Sequence, residues 1–404
     1  MSNAIFVVNA GSSSIKFQLF SVDGDGECRR LMKGGFDGIG SLPHLFAADG
    51  DRTLIDQTWE ADEIDGVSDA LDEVVKFVRA YSSGDLPIAV GHRVVHGGPD
   101  YSAPTIVNEA VLRQLERLVP LAPLHQPNNL APIRLLLERQ PHLPQVACFD
   151  TAFHRGHAEI ADRYAIPEDL YVEGIRRYGF HGLSYEYIAQ SFESLAPELV
   201  GKRVIVAHLG SGASMCAIMG GRSVESTMGF TALDGLPMGT RPGQLDAGVI
   251  LYLVDQKHLE SGALVDLLYK KCGLLGLSGL SNDVRELLAS TDPRAKMALD
   301  YFTYRISLFA GMLAAAMRGL DGFVFTAGIG EHAPSIREAV IRQMDWLGVE
   351  LDPDANEQSA LRISTRDSKV GCYVIPTDEE LMIARHTWRV VTQNVEKSVW
   401  ELRA

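Results

Sequence analysis

The segment that most restricts the fold of this chain is its opening hairpin, Ile5-Phe6-Val7-Val8-Asn9-Ala10-Gly11-Ser12-Ser13-Ser14-Ile15-Lys16-Phe17-Gln18-Leu19-Phe20. An apolar run enters a polar, glycine-containing turn. Ile15, Phe17 and Leu19 then alternate against Lys16 and Gln18, the period of a half-buried strand. The tip is larger and more polar than a tight two-residue turn requires. Small residues let backbone N–H groups face an anion, the hydroxyls add donors, and Lys16 adds a positive charge. The turn therefore reads as a phosphate-handling turn or as a generous solvent-exposed one. The pattern returns near mid-chain in Val204-Ile205-Val206-Ala207-His208-Leu209-Gly210-Ser211-Gly212-Ala213-Ser214-Met215. One offset, close to half the 404-residue length, puts Gly11 on Gly210, Ser12 on Ser211 and Asn9 on His208. A duplicated core, each half opening on such a hairpin, explains the echo.

A chain of this length has room for two or three domains. Its 46% apolar and 22% charged residues are ordinary for a soluble globular protein. The formal net charge of −15 argues against nucleic acid or an anionic membrane as the main partner, while leaving room for a local basic pocket. Five cysteines (Cys28, Cys148, Cys216, Cys272, Cys372) lie far apart with no C-x-x-C pair. They predict reduced thiols in a cytoplasmic protein rather than a disulfide frame or a zinc site. No basic, cleavable leader is read at the N-terminus. The longest apolar run, Ile306 to Met317, is closed by Arg305 and Arg318 and is too short for a bilayer.

Periodicity predicts a helix over Val67–Tyr81 and a buried strand at Pro87–Gly91, which delivers His92-Arg93-Val94-Val95-His96-Gly97-Gly98 at its C-terminal end. Asn108 is placed to cap a helix running to Val119. The prolines of Pro120 to Asn129 predict a rigid loop displaying His125 and Asn128, followed by a helix Leu130–Arg139. A strand Gln145–Phe149 ends in Asp150, and the loop Tyr178–Gly182 opens a helix Tyr185–Leu195. Met238–Gly243 is a loop presenting Arg241, and Leu277–Arg285 a loop with Asn282 or Asp283 as a helix cap. A long apolar-faced helix, Arg294–Leu320, precedes a buried strand Phe323–Thr326, the glycine turn Ala327–His332 and a helix Ser335–Leu347. A last strand, Tyr373–Ile375, leads to a closing helix from Leu381 to about Thr392. Strands and helices mix throughout, so the class is α/β. Polar groups gather at the C-terminal ends of strands, where open sheets bind ligands.

Gly328-Ile329-Gly330-Glu331-His332-Ala333 matches the dinucleotide fingerprint, with Glu350 and Asp352 about twenty positions on. That makes a dehydrogenase a rival, although little chain follows the motif for further βα units. The chain has no G-x-x-x-x-G-K-(S/T), no G-x-S-x-G and no His/Cys cluster at zinc spacing. Two glycine hairpins, a third glycine turn and cationic side chains on loops are the set that phosphoryl transfer needs, because the transferring group spreads negative charge over its equatorial oxygens. Mg2+ takes a few oxygens and completes its shell with water, and Asn9, Asp150 and Glu379 are available to supply or orient them.

In chain order, Asn9-Ala-Gly-Ser-Ser-Ser-Ile-Lys16, Gly91-His-Arg-Val-Val-His-Gly-Gly98, Ala122-Pro-Leu-His125, Phe149-Asp-Thr-Ala-Phe-His154, Tyr178-Gly-Phe-His-Gly182, His208-Leu-Gly, Met238-Gly-Thr-Arg241, Phe325-Thr-Ala-Gly-Ile-Gly-Glu331 and Glu379-Glu380 resemble the acetate kinases. The likeness runs from residue 3 to about 390. It implies two duplicated ribonuclease-H-like α/β domains flanking a nucleotide cleft, as in the sugar kinase, chaperone ATPase and actin superfamily. The expected domains are residues 1–152 with 384–404, and residues 153–383. The resemblance also implies reversible phosphoryl transfer from ATP to acetate, giving acetyl phosphate and ADP. Mg2+ would be the cofactor, with Mn2+ as a substitute, in a homodimer. A propionate kinase of the same family and a non-catalytic ATPase of the same fold are the alternatives.

Carried over to this sequence, the resemblance assigns Asn9 and Glu379 to the metal and Lys16 to nucleotide phosphate. Arg93 would bind the substrate carboxylate, with Val95, Leu124 and Phe180 around the acyl group and His125 nearby. Asp150 would orient an arginine or a metal-bound water, because ionised acetate has no proton to remove. His181 and Arg241 would stabilise the transferring phosphoryl group. His208, Leu209, Gly210, Ser211 and Gly212, then Asp283, Val284 and Arg285, then Gly328, Ile329, Gly330, Glu331 and His332 would enclose the phosphates and adenosine. His92, His154 and His157 are expected to be structural. The chain departs from the family pattern at Gln126, Ser211, His332 and Asp378, where asparagine is usual, and at Ala232, where the best-known members carry proline. The smaller side chain at 232 makes room for one more methylene, worth about 1 kcal/mol of discrimination, so propionate activity is expected.

Overall fold

The computed structural model describes residues 3–11, 13–82 and 87–401, with side chains as far as 394, so Ser12 and its match to Ser211 lie outside the described residues. The chain forms two compact units, Met1–Ala152 with Asp378–Ala404, and Phe153–Thr377.

Among the described residues the first unit holds one eight-stranded sheet: β1 (Ala4–Ala10), β2 (Ile15–Val22), β3 (Cys28–Asp37), β4 (His44–Asp49), β5 (Arg52–Thr58), β6 (Ala89–Val94), β7 (Thr105–Ile106) and β8 (Gln145–Phe149). The strand order is β5-β4-β3-β2-β1-β6-β8-β7. β1, β6 and β8 are parallel and the remaining pairs antiparallel. The unbroken apolar run of β1 is buried along almost its whole length, as a central strand covered on both faces requires. On one side, the helix Val67–Tyr81 buries Ala70, Leu71, Val74 and Val78, at helical spacing, against Phe6, Val8, Phe17 and Leu19. A second core joins Val94 and Phe149 to Leu112, Leu115, Leu130 and Ile133.

The closing helix runs Glu379–Glu401, and the return to the first unit begins at Asp378 rather than at 384. The cause is close packing on β6. Met382, Ile383 and Ala384 are buried, and a Cβ on Gly91 would lie 2.3 Å from Thr387 Oγ1. A second difference is the helix expected from Leu130, which starts at Gln126. Pro127 falls in its first turn, where a missing N–H costs no helical bond, so the prolines do not hold the segment out of the helix.

The second unit holds β9 (Arg203–Leu209), β10 (Ala213–Met219), β11 (Arg222–Ser226), β12 (Gly322–Thr326) and β13 (Gly371–Val374), in the order β11-β10-β9-β12-β13. This repeats the order and senses of β3-β2-β1-β6-β8: an antiparallel meander whose first strand pairs in parallel with a later strand, which pairs in parallel with the next. The duplicated α/β architecture follows from that correspondence. Asn9 lies opposite Lys16, and His208 opposite Ser214. The second hairpin turn is one residue shorter than the first, so Ser214, not Met215, occupies the place of Lys16. The dinucleotide motif Ala327–His332 is itself a short helix after β12 rather than an open turn. Among the described residues no helix is long and apolar enough to cross a membrane, and all five cysteines are free thiols.

Candidate active site

In the first unit, parallel β6 and β8 end side by side, with Arg93 opposite Cys148 and Val94 opposite Phe149. Arg93 and Asp150 therefore meet. Arg93 Nε donates to Asp150 Oδ1 at 3.0 Å, and Nη2 to Oδ2 at 2.8 Å. On its other edge, Nη1 lies 3.1 Å from Glu379 Oε2, at the start of the closing helix. Asp150 and Glu379 are buried. Burial opposes the charge on Arg93, but the two carboxylates more than offset it and its pKa is raised. Glu379 is pushed up to about 7. Burial is the main cause, Arg93 and Lys16 oppose it, and Asp150 and Glu380 add to it. Arg93, expected to clamp the substrate carboxylate, is thus itself held between two protein carboxylates. Of the two roles open to Asp150, orienting an arginine is the one this geometry contains.

The loop after β6 is fastened by two residues that sequence reasoning did not assign. Asn129 Oδ1 accepts from the Val95 N–H at 3.0 Å, and its Nδ2 donates to the Ala10 carbonyl at 2.8 Å. Gln126 exchanges hydrogen bonds with the backbone of His96 at 3.1 and 3.0 Å. Gln126 is buried, so this departure from the family's asparagine serves a structural purpose, while His125 beside it is exposed. Leu124 is half-buried, and Asn128 turns back to donate to its carbonyl rather than pointing outward.

In the second unit, Gly179 and His181 both take positive φ, a turn that sets His181 just before the helix Gly182–Leu195. His154 braces this turn from behind. Its Nε2 donates to the Phe180 carbonyl at 3.0 Å and its Nδ1 accepts from Ser223 at 2.7 Å. Phe180 is buried. His181 Nδ1 lies 2.8 Å from Ser214 Oγ, and its ring stacks on His208 at 4.1 Å. Gly212 closes the group: a Cβ there would sit 2.9 Å from Arg241 Nη2 and 3.3 Å from His181 Nε2. A side chain at 212 would displace the end of Arg241 and crowd the His181 ring. Arg241 Nη1 donates to the Ala232 carbonyl at 2.7 Å. Among the described residues no carboxylate pairs with Arg241. Burial lowers its pKa and the Tyr269 hydroxyl partly opposes that. A half-buried guanidinium with no carboxylate partner among the described residues, beside a glycine hairpin, has the chemistry to hold an anion.

Next to it lies a cavity of about 420 Å³. Gly210, Ser211, Asp283, Val284, Arg285, Gly328, Ile329 and His332 line it, joined by Met238, Leu274, Asn282 and Phe302, to which the sequence reading gave no role toward the nucleotide. The volume suits a nucleotide-sized ligand. His208, Leu209, Gly212, Gly330 and Glu331 are not part of its lining; Leu209 is wholly buried in the core. Glu331 instead ties the motif together, its Oε1 accepting from the N–H groups of Ala327 and Thr377. Asp283 caps the helix Val284–Ala289 and pairs with Arg285, which holds its carboxyl at about 2.

The described residues contain no cluster of three or more His, Cys, Asp or Glu arranged to hold a metal. The first unit nevertheless suits a hard cation. Asp150, Glu379 and Glu380 gather around Arg93 and Lys16, so negative charge is in excess there. Mg2+ needs one or two protein oxygens when phosphate and water supply the rest.

Two sheets that share one five-strand topology, a glycine hairpin opening each, and a nucleotide-sized cavity beside an uncompensated arginine define an ATPase-type phosphate-handling protein of the actin-like fold. The chain belongs to the acetokinase family, whose model matches residues 4–385. It is 59% identical to an acetate kinase of Nitrobacter hamburgensis over 398 residues, 98% of each chain. It is 55% identical to an acetate kinase of Rhizobium meliloti over 96% of this chain and 99% of that one. Among solved structures, a propionate kinase from Francisella tularensis superposes with a TM-score of 0.88 at 35% identity, covering 96% of this chain and 99% of the other. The Porphyromonas gingivalis acetate kinase gives 0.84 at 35% identity, covering 96% and 100%. The dehydrogenase alternative falls with the family and with the sheet, in which only β13 lies beyond β12.

Proposed function

We propose that this protein catalyses reversible phosphoryl transfer between ATP and acetate, giving acetyl phosphate and ADP, and that it accepts propionate as a second substrate. The observation that carries the reading is Arg241: an uncompensated guanidinium against the Gly212 hairpin, with His181 on the same glycine. A group that gains negative charge in the transition state is stabilised there without reorganisation. The nucleotide occupies the cavity between the Gly210, Asp283 and Gly328 loops. In the first unit Arg93, aligned by Asp150, faces the acyl carboxylate, and Val95 and Leu124 supply apolar contact. Asn9 and Glu379 would hold Mg2+, which would supply positive charge against the phosphate oxygens.

Propionate use is supported by Ala232, whose carbonyl holds Arg241 while its side chain is smaller than the usual proline. The Francisella neighbour is named a propionate kinase, which accords with it. Hydroxylamine trapping of acyl phosphate, with ATP and formate, acetate, propionate or butyrate in turn, tests both. We expect kcat/KM for propionate within about tenfold of acetate, since the extra methylene is worth about 1 kcal/mol of discrimination. A gap of thousands-fold refutes the pocket argument, and no acyl phosphate from any acid refutes the reading.

A homodimer is part of the same proposal. On the helix Pro293–Ala316, exposed Met297, Tyr301, Tyr304, Leu308 and Met312 form one stripe at helical spacing. The helix Ala247–Asp255 buries none of its residues and exposes Val249, Leu251, Tyr252 and Val254. Such apolar surface is characteristic of an obligate interface. Free thiols and the absence of a disulfide accord with a cytoplasmic location.

A further inference from the structure

We propose that Ser214 is a positioning residue which, with Tyr185, holds His181 as the neutral tautomer carrying its proton on Nε2. The catalytic consequence rests on the phosphotransfer reading; the tautomer itself can be read without turnover. Ser214 is wholly buried in β10, and its Oγ lies 2.8 Å from His181 Nδ1 and within hydrogen-bond distance of the Tyr185 hydroxyl. A serine hydroxyl has one proton to give. Of its two neighbours the phenol is the stronger donor and the imidazole nitrogen the stronger acceptor. Donation therefore runs from Tyr185 O–H to Ser214 Oγ, and from Ser214 O–H to Nδ1, each bond polarising the next. Nδ1 offers its lone pair, and the ring proton sits on Nε2, the nitrogen that faces Gly212.

A second relay of the same sense supports the assignment. Thr377 Oγ1 donates to Ser184 Oγ at 2.9 Å, which leaves the Ser184 proton for His208 Nδ1 at 2.8 Å. The two imidazoles stack at 4.1 Å and 17°, where two positive rings would repel. Within this unit the titratable and charged groups around His181 include His208 on its face, Tyr185 through Ser214, and Arg241 across Gly212. A neutral His181 beside the permanent charge of Arg241 donates a hydrogen bond from Nε2 to the phosphoryl oxygens and gives up no proton.

The test uses the full-length protein with 15N-labelled histidine, near neutral pH, with His181→Gln identifying the resonance. In the wild type we expect Nδ1 in the unprotonated range and Nε2 in the protonated range, and in Ser214→Ala a mixture of tautomers. Turnover of Ser214→Ala should fall about tenfold with KM for ATP nearly unchanged, less than the 10²–10³ that loss of a donor itself costs. Tyr185→Phe removes one oxygen and should move the spectrum and kcat in the same direction, which keeps the test available if Ser214→Ala does not fold. Protonation of His181 on Nδ1 in the wild type, or wild-type spectra and kcat in both variants, overturns the proposal. A wild type that forms no acyl phosphate overturns the phosphotransfer reading and leaves the tautomer result standing.

Discussion

Arg241 and Arg93 are both arginines on loops or strand ends, yet their surroundings give them different work. Arg93 is matched by Asp150 and Glu379, while Arg241 has no carboxylate partner among the described residues and meets the Ala232 carbonyl and the Tyr269 ring. Charge that the protein leaves uncompensated is charge available to a substrate. Arg241→Ala should therefore lower kcat by about a thousandfold or more, the scale seen when a phosphoryl-stabilising arginine is removed. ATP should still bind, because Arg241 is not part of the cavity lining. Steady-state kinetics together with nucleotide titration check this, and wild-type turnover in the variant would sink the assignment. The motifs singled out Arg241 and Asp150 from sequence alone. They did not reveal that Arg93 Nη1 would be held by Glu379, because nothing in local spacing links two residues so far apart in the chain. Gln126, Asn129, Ser184 and Ser214 were invisible for a related reason: each is an ordinary polar residue until its partner is known.

The helix Ala327–His332 illustrates how an element is kept in place. Its last carbonyls would be orphaned at a buried end, and Arg337 satisfies them. That side chain is wholly buried, with Nη1 donating to the carbonyls of Gly330 and Glu331 at 3.0 Å each, and Nε to Asn356 Oδ1 at 2.8 Å. Burial lowers its pKa to about 10, with Glu357 opposing. Arg337→Met should raise KM for ATP several-fold, because Gly328, Ile329 and His332 line the nucleotide cavity. It should also lower stability by about 2–3 kcal/mol through carbonyls left without donors. Nucleotide titration and thermal unfolding measure the two effects. An unchanged KM with a large loss of stability would show that the turn keeps its shape without Arg337. The existence of this element was legible as a glycine motif between strand and helix. Its helical conformation and its anchor were not, since the same pattern also describes a dinucleotide turn. The helix from Gln126 makes the reverse point. Proline frequency predicted a loop, but Pro127 falls in the first turn, where it costs the helix no hydrogen bond.

For the molecule as a whole, one prediction concerns assembly and one concerns acid. Leu308→Glu places a charge in the exposed stripe of the helix Pro293–Ala316, and sedimentation should show a monomer where the wild type is a dimer. A wild-type monomer would refute the dimer. His92, buried against Gln145, has its pKa lowered from 6.5 to about 4 by burial, and His154 to about 3. Both must be neutral to stay folded, and the unfolded chain binds these protons first. Their contribution is complete above about pH 6.5 and is lost as pH falls towards 4, roughly 3 kcal/mol for His92. Glu379, with a raised pKa, works in the opposite sense, so the comparison has to be against His92→Gln. Urea unfolding between pH 7 and 4.5 should show a shallower loss in the variant, and equal slopes would remove His92 from the account. By itself the sequence determined the class and the duplication. Apolar runs of strand length, glycine hairpins and their echo are local patterns, and local patterns survive in one dimension. It also carried the ordered motifs that resemble the acetate kinases. Only the tertiary structure decided which charges are neutralised and which wait for a ligand. It also decided that the shorter second hairpin moves Ser214, rather than Met215, into the place of Lys16. Register and charge pairing depend on which strands and loops meet in space, and a two-residue side-chain period turns a one-residue difference into the opposite face of the sheet.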